Sequence, residues 1–582
     1  MDAKGVSTIR TVHGNTSGLK SQVHRRLGNL YRRKVAPDQV VSPELARDLA
    51  RLSFECGRQV AVLLSRDGVI EMVVVGGPGS IYLPDLPKSR AGRSRLRGLR
   101  LVHTHLKEEP LSQDDLMDLI FLRLDCIAAI RVDSNGGARH LEVAHILPGA
   151  RQQEPAWQLL PLMPCHQPEL DFLALVSGLE DQLERGQAAT AAAQKGERAI
   201  LVSVTEGDRE SAEISLRELE ELARSAGITV AESVIQRQRQ ANPKYLIGKG
   251  KLGEIIVTAL QHGVDLLIFD QELNPSQVRS LTDTTEVRVI DRTQLILDIF
   301  AQRARSREGK IQVEMAQLKY LLPRLGVKDD ALSRLRGGIG VRGPGETKLE
   351  INRRRIKERI GSLERQLKAL RKDRFQRRAR RRQRQVPILS IVGYTNAGKS
   401  TLLNTLTHSH ILVEDQLFAT LDPSSRRLRF PRDLEVIITD TVGFIRDLPS
   451  DLMDAFAATL EELDDADLLL HVVDVSNPQF EQQIAAVEGI LRQLELHDKP
   501  LELVFNKMDL VPSERLANLV ARYQAIPISA LGSNTLHPLI ERLQERMTAL
   551  RSGGFGTGET TGETAPEPEL ETFTGSILKS PD

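Results

Sequence analysis

The run Gly393-Tyr394-Thr395-Asn396-Ala397-Gly398-Lys399-Ser400 follows an apolar segment, Ile388-Leu389-Ser390-Ile391-Val392, and opens into Thr401-Leu402-Leu403-Asn404. It fills every fixed position of a phosphate-binding loop. A strand, a tight glycine turn and a helix start together build an anion cradle, with backbone N–H groups and the positive helix end aimed at phosphate. Lys399 is placed to reach the β- and γ-phosphates and the Ser400 hydroxyl to ligate Mg²⁺. A chance glycine-rich turn is the competing reading, and the strand and helix on either side argue against it.

Working outward, further segments follow in the order a guanine-nucleotide domain requires. Phe418-Ala419-Thr420-Leu421-Asp422 puts Thr420 where a switch loop adds a second oxygen to Mg²⁺. Asp440-Thr441-Val442-Gly443 comes after the apolar Val436-Ile437-Ile438; Asp440 can hold the metal through water, and the Gly443 N–H can meet the γ-phosphate. Asn506-Lys507-Met508-Asp509 comes after Leu503-Val504-Phe505. The Asp509 carboxylate accepts from guanine N1 and N2, whereas adenine would leave it unpaired, a strong basis for discrimination. Ser529-Ala530, after Ile526-Pro527-Ile528, can close the base pocket. Each segment alone is moderately specific; in this order they point to a GTPase using GTP/GDP and Mg²⁺, with Lys399, Thr420 and Gly443 as its catalytic groups. Phe444 stands where a glutamine would orient the attacking water, so intrinsic hydrolysis should be slow. Asn396 resembles the asparagine of potassium-activated GTPases, which implies K⁺ as an activator; a plain loop-stabilising role is the alternative.

Composition bounds the remainder. The 582 residues are 40% hydrophobic and 27% charged, ordinary for a soluble globular chain of several domains. No apolar run approaches the roughly 20 residues of a membrane span, and Met1-Asp2-Ala3-Lys4-Gly5 lacks a signal-peptide pattern. Cys56, Cys126 and Cys165 form no short-spaced pair, which fits reduced thiols in a cytoplasmic protein. The net charge is only +1, yet residues 346–386 hold seventeen Lys/Arg against five Asp/Glu. Such asymmetry suggests an anionic partner.

Five segments emerge: an N-terminal extension with linker (1–190), an α/β domain (198–300), a helical segment (301–386), the nucleotide domain (387–550) and a tail (551–582) whose composition predicts disorder. The expected fold class is therefore multidomain α/β. Its P-loop GTPase domain has a mixed, mostly parallel sheet with helices on both faces. In 198–300, strands at Ile200–Val204, Ile228–Val234, Asp265–Phe269 and Val287–Ile290 alternate with helices, which predicts a parallel sheet. In 301–386, Ile311, Met315, Leu318, Leu322 and Leu325 match the spacing of Ile356, Ile360, Leu363, Leu367 and Leu370. Two such stripes predict a long antiparallel helical hairpin. Between them, Arg336–Glu346 contains five Gly and one Pro and cannot be helical.

Gly337-Gly338-Ile339-Gly340-Val341-Arg342-Gly343-Pro344-Gly345-Glu346-Thr347-Lys348-Leu349-Glu350, leading through an Arg-rich helix to the phosphate loop, resembles the HflX-type GTPases. Asn242-Pro243-Lys244-Tyr245-Leu246-Ile247-Gly248-Lys249-Gly250-Lys251 is similar to their N-terminal domain, and Phe418–Asp422 and Asp440–Gly443 also match. The resemblance implies a cytoplasmic GTPase that binds the large ribosomal subunit and its rRNA, reaches the peptidyl-transferase region with the hairpin tip and can split stalled or stressed ribosomes; nothing in the sequence demands more than a monomer. Some members also hydrolyse ATP. The residues agree: Arg353, Arg354, Arg355, Arg377, Arg378, Arg380, Arg381 and Arg382 would neutralise phosphates, and a side-chain-poor tip lets backbone approach RNA. A solvated charged linker is the alternative for the arginine run. A GTP-dependent RNA-modifying enzyme and a nucleotide-gated scaffold are the alternative functions.

In the extension, His103-Thr104-His105 follows Arg100-Leu101-Val102, with Ser112 and Asp115 beyond. This pattern looks like the zinc site of JAB/MPN metalloproteases, with His103, His105 and Asp115 as ligands. The spacer from His105 to Ser112 is one residue short, and the strand Arg58-Gln59-Val60-Ala61-Val62-Leu63 carries no general-base glutamate. Surface histidines at a strand end are the competing reading.

Overall fold

The computed structural model describes residues 11–84, 86, 96–148, 155–191, 196–325, 348–382, 386–407, 424–430, 434–440, 443–446 and 463–553. Two compact units result. One holds the described residues up to 377 together with 443–446; the other holds those of 378–411, 424–441 and 461–553.

The first unit carries two sheets. The N-terminal sheet runs, in spatial order, Val12–Gly14, Ile70–Val75, Val60–Ser65, Leu99–Leu106, Cys126–Val132, Ala138–Ile146 and Trp157–Leu159, with Met163–Pro164 paired on Ala138–Ile146. Its central strands are buried Val, Leu, Ile and Ala on both faces, as strands covered by helices require. The covering helix Pro43–Cys56 is delimited locally. The Ser42 hydroxyl accepts from the Leu45 N–H, proline opens the first turn, and Gly57 ends it at φ +63°. Leu99–Leu106 pairs in parallel with Cys126–Val132, so the chain crosses over through the helix Gln113–Phe121.

The second sheet has four parallel strands in the order Thr229–Arg237, Arg198–Thr205, Leu266–Phe269, Arg288–Asp291, each within a few residues of its expected position. The two sheets are not separately cored. Leu119, Ile120 and Ile127 from the extension and Ile200, Leu252 and Ile256 from the four-stranded region belong to one continuous buried cluster. Arg97 pairs with Glu286 at 2.7 Å across the same seam.

The helical segment forms Arg307–Leu321 and the 35-residue Lys348–Arg382. The first helix stops short of the expected stripe because Pro323 lacks the N–H needed to continue it; Leu322–Arg324 becomes a 3-10 turn. Ile311, Met315, Leu363 and Leu367 are buried. A bidentate pair, Arg359 to Glu314 at 2.7 and 2.9 Å, links the two helices. The glycine-rich tip lies outside the described residues, as does the C-terminal tail. The arginines from 353 to 382 stand on a helix, not on an irregular linker; Arg353, Arg354 and Arg355 are exposed. The side chains of Arg377, Arg378, Arg380, Arg381 and Arg382 are outside the description.

The second unit is a six-stranded sheet ordered Ser424–Arg429, Glu435–Asp440, Ile388–Gly393, Leu468–Asp474, Leu501–Asn506, Ile526–Pro527. All neighbours are parallel except the edge strand Ser424–Arg429, which is antiparallel. The central strands end at one edge in Gly393, Asp440, Asp474 and Asn506. Ligand sites form at that carboxyl edge in open parallel sheets.

Candidate active site

The phosphate loop leaves the strand at Gly393 and enters the helix Lys399–Thr407. Two positions admit only glycine. A Cβ on Gly393 would lie 2.2 Å from the Val472 carbonyl oxygen, and one on Gly398, at φ +88°, would lie 2.3 Å from Asn506 Nδ2. Asn396 also takes a left-handed conformation, φ +60°, which asparagine tolerates better than most residues. Thr395 Oγ1 is buried without a hydrogen-bond partner, as suits a loop shaped around a polar ligand.

Lys399 is buried, and its ammonium donates to the Gly393 and Tyr394 carbonyls at 3.1 and 2.7 Å. Burial lowers its pKa to about 8, against the raising influence of Asp440. The Ser400 hydroxyl donates to Asp440 Oδ2 at 2.7 Å. The serine oxygen and the strand-end carboxylate are thus side by side, the donor pair that a hard Mg²⁺ ion prefers.

Asn506 is the hub of the base side. Its Nδ2 donates to the Ala397 carbonyl at 2.8 Å, and its Oδ1 accepts from the Ala530 N–H at 2.9 Å. One side chain therefore ties the phosphate loop to the loop that closes the base pocket. Lys507 takes φ +61° and pairs with Asp474 at 2.7 Å. Asp509 sits exposed in the 3-10 turn Met508–Leu510, where it is open to a base edge. The Met508 N–H donates to the Ile528 carbonyl at 3.1 Å. Ser529 is braced by the Thr535 hydroxyl, which accepts from its N–H at 3.0 Å and donates to its carbonyl at 2.8 Å.

The structure therefore brings Gly393–Ser400, Asp440, Asn506–Asp509 and Ser529–Ala530 to one edge. Phe418, Ala419, Thr420, Leu421 and Asp422 lie outside the described residues, as do Thr441 and Val442. Gly443 and Phe444 are buried and cluster with the first unit. Two supporting residues escaped the sequence reading. Asp474 could have been found, since it ends an apolar strand as Asp440 does; Thr535 lies in a loop with no such signal.

A mostly parallel sheet with a phosphate loop, a hydrogen-bonded serine–aspartate pair and an Asn-Lys-Met-Asp turn at its carboxyl edge defines a P-loop GTPase. Residues 213–301 match the family described as GTP-binding GTPase N-terminal, 303–381 GTP-binding GTPase Middle Region, and 388–507 50S ribosome-binding GTPase. The GTPase HflX of Caldanaerobacter subterraneus subsp. tengcongensis is 49% identical over 355 residues, 61% of this chain and 82% of that protein. The GTPase HflX of Escherichia coli K12 is 46% identical over 316 residues, 54% of this chain and 74% of that one. A crystal structure of a GTP-binding protein from Sulfolobus solfataricus, in complex with GDP, aligns with 61% of this chain and 100% of that one, at 25% identity and a TM-score of 0.36. The chain belongs to the HflX family of GTPases: it binds GTP and GDP and hydrolyses GTP. Among the described residues no helix is long and apolar enough to cross a membrane.

Proposed function

We propose that this GTPase works in the cytoplasm as a monomer on the large ribosomal subunit, where its GTP cycle remodels or splits ribosomes. The observation that carries the reading is the match of residues 388–507 to a family described as 50S ribosome-binding GTPase. The arginine-rich helix Lys348–Arg382 supports it, because a long basic helix neutralises phosphates without reading sequence.

In this reading Ser400 and Thr420 would hold Mg²⁺ directly and Asp440 would hold it through water. Lys399 exchanges its two loop carbonyls for the β- and γ-phosphates, and Gly443 presents its N–H to the γ-phosphate. Phe418–Asp422 and Asp440–Gly443 are the segments that respond to that phosphate. Mg²⁺, when bound, would neutralise charge on the triphosphate. Phe444 neither donates nor accepts a hydrogen bond, so water positioning comes from the ribosome. Asn396 would hold K⁺, which would supply a further positive charge to the triphosphate.

Phosphate release from GTP, measured with and without purified large subunits in K⁺ buffer, tests the reading. Strong stimulation that Lys399→Ala abolishes is the expected result. Unchanged rates would overturn the ribosomal assignment, and equal rates in K⁺ and Na⁺ would remove the potassium role alone.

A further inference from the structure

The N-terminal sheet holds a second constellation that the GTPase reaction does not use. His103 and His105 stand at the end of the strand Leu99–Leu106, and Asp115 lies in the first turn of the helix Gln113–Phe121. The strand and helix bring one ligand atom from each within 4.8 Å of the others. The two Nε2 atoms are 2.8 Å apart, and each is 3.3 Å from an Asp115 carboxylate oxygen. The histidines are not on the surface: their side chains are 1% and 4% exposed, and that of Asp115 is 19% exposed.

His105 Nδ1 faces two carbonyl oxygens, Glu109 at 3.1 Å and Pro110 at 2.9 Å. Carbonyls only accept, so Nδ1 carries a proton and the ring turns its Nε2 toward the centre. There it faces His103 Nε2 and an Asp115 oxygen. The centre therefore gathers two imidazole nitrogens and a carboxylate within a buried space, where polar atoms left without partners are costly.

The surrounding groups fix these atoms in place. The chain after His105 turns through Lys107 at φ +63° and Glu108 at φ +55°, which sends the Glu109 and Pro110 carbonyls back onto Nδ1. Two consecutive left-handed residues that are not glycine cost energy, and such strain persists only where the surroundings enforce it. Asp115 Oδ2 accepts from the Ser112 N–H at 2.7 Å and from its hydroxyl at 2.6 Å, a capping box that orients the carboxylate. Carbonyls behind a histidine and a hydroxyl behind a carboxylate are the usual outer partners of metal ligands. Tetrahedral Zn²⁺ with ligands at about 2.0–2.1 Å sets them about 3.3 Å apart. Each His–Asp separation is of that size, His103 to Oδ1 and His105 to Oδ2, and the carboxylate must turn to bring one oxygen to both rings; the His–His separation needs to open by about half an ångström.

The ligand set lies on an element with a second contact. One turn beyond Asp115, Met117 and Ile120 are buried against the helix Lys249–His262. A Cβ on Gly253 there would lie 3.5 Å from both Met117 Sδ and Ile120 Cδ1. That helix lies within residues 213–301, the part matched to the GTPase N-terminal family. Among the described residues no fourth His, Cys, Asp or Glu joins the trio.

We propose that His103, His105 and Asp115 bind one divalent d-block ion of the zinc class, and that this ion is structural: it pins the helix Gln113–Phe121 to the histidine strand and so braces the extension against Lys249–His262. The metal takes the two Nε2 lone pairs and one Asp115 oxygen, with water in the fourth place on the more exposed aspartate side.

The test uses the full chain, stripped with a chelator and titrated with Zn²⁺ or Co²⁺. The expected results are one ion bound per chain by mass spectrometry and a tetrahedral Co²⁺ visible spectrum, both lost in His105→Ala or Asp115→Ala. Ser112→Ala, which removes only an outer partner, should weaken binding about 10–100-fold. Zn²⁺ at about 100 times its Kd should slow hydrogen exchange in 113–121 and 249–262 by up to about 100-fold. X-ray absorption of the zinc-loaded wild type, showing two imidazoles and oxygen, covers the case in which a variant fails to fold. No stoichiometric metal would mean that the centre holds a shared proton only and would overturn the proposal. A spectrum unchanged in both variants would place the metal elsewhere and overturn it too. Binding without protection of the two helices would overturn the structural role.

Discussion

The phosphate loop and the histidine strand are built on the same backbone plan, a strand that ends, a short loop and a helix that starts, yet they offer ligands of opposite charge. In the nucleotide domain the loop between Gly393 and Lys399 is short and glycine-bearing, so backbone N–H groups form the site. The first turn of its helix has no acidic residue. In the extension the loop is longer, the side chains of His103 and His105 form the site, and Asp114 and Asp115 occupy the first helical turn. An uncapped positive helix end attracts phosphate, whereas a carboxylate box there cancels the dipole and presents lone pairs. The side-chain chemistry at the junction, not the topology, decides which ligand the plan accepts.

The largest expected effect tests how far the extension depends on packing. Ile120→Ala removes a fully buried side chain that faces Gly253. It should destabilise the first unit by about 2–5 kcal/mol, read as a lowered thermal transition. A loss below about 0.5 kcal/mol would show that the seam between the extension and Lys249–His262 contributes nothing.

Lys399→Ala comes next and tests the nucleotide side. Without the ammonium, kcat for GTP should fall roughly 10²–10³-fold, while far-ultraviolet circular dichroism stays the same. Residual turnover within about tenfold of wild type would mean that another cation serves the phosphates. Gly398→Ala is the smaller, purely geometric counterpart. Its Cβ would collide with Asn506 Nδ2 at a φ that L-residues rarely adopt. About 1–3 kcal/mol of strain predicts a roughly 5- to 150-fold loss of GDP affinity by titration calorimetry.

Much of the nucleotide domain was legible because its determinants are local. Gly393–Ser400 and its flanks lie within one short stretch, and a buried parallel strand announces itself as an apolar run. The four-stranded sheet was legible for the same reason. What stayed hidden depends on distant pairs. Asn506 reads as a base-contacting residue, but its tie to Ala397 spans 109 positions and appears only in three dimensions. The single core shared by the extension and the four-stranded region has no periodic signature, because each contributing helix looks like an ordinary amphipathic one. The His103–His105–Asp115 trio lay between these cases. Its spacing differs by one residue from the pattern it resembles, and only the left-handed turn at Lys107 and Glu108 shows how the shorter loop still delivers Asp115.

The finest distinction between the two junctions is protonic. Burial holds the Lys399 pKa near 8 in the loop; Asp440 opposes this, and the neighbouring His471, with its own pKa pushed down to about 3, is neutral there. A bound triphosphate favours the ammonium and raises that value. Above pH 8 the empty loop has lost the proton that the complex needs, so binding must take one up. Affinity for a non-hydrolysable GTP analogue should therefore fall by up to about tenfold per pH unit beyond pH 8, and be flat below it. For the empty domain the sign is reversed. The unfolded lysine keeps its ordinary value of 10.5, so the unfolded state binds more protons between about 8 and 10.5, and folding stability from this group rises across that window. Calorimetry of analogue binding in two buffers of different ionisation enthalpy reads the proton directly. A buffer-independent heat above pH 8 would show that Lys399 stays charged in the empty loop and that its two carbonyl partners, Gly393 and Tyr394, offset the burial.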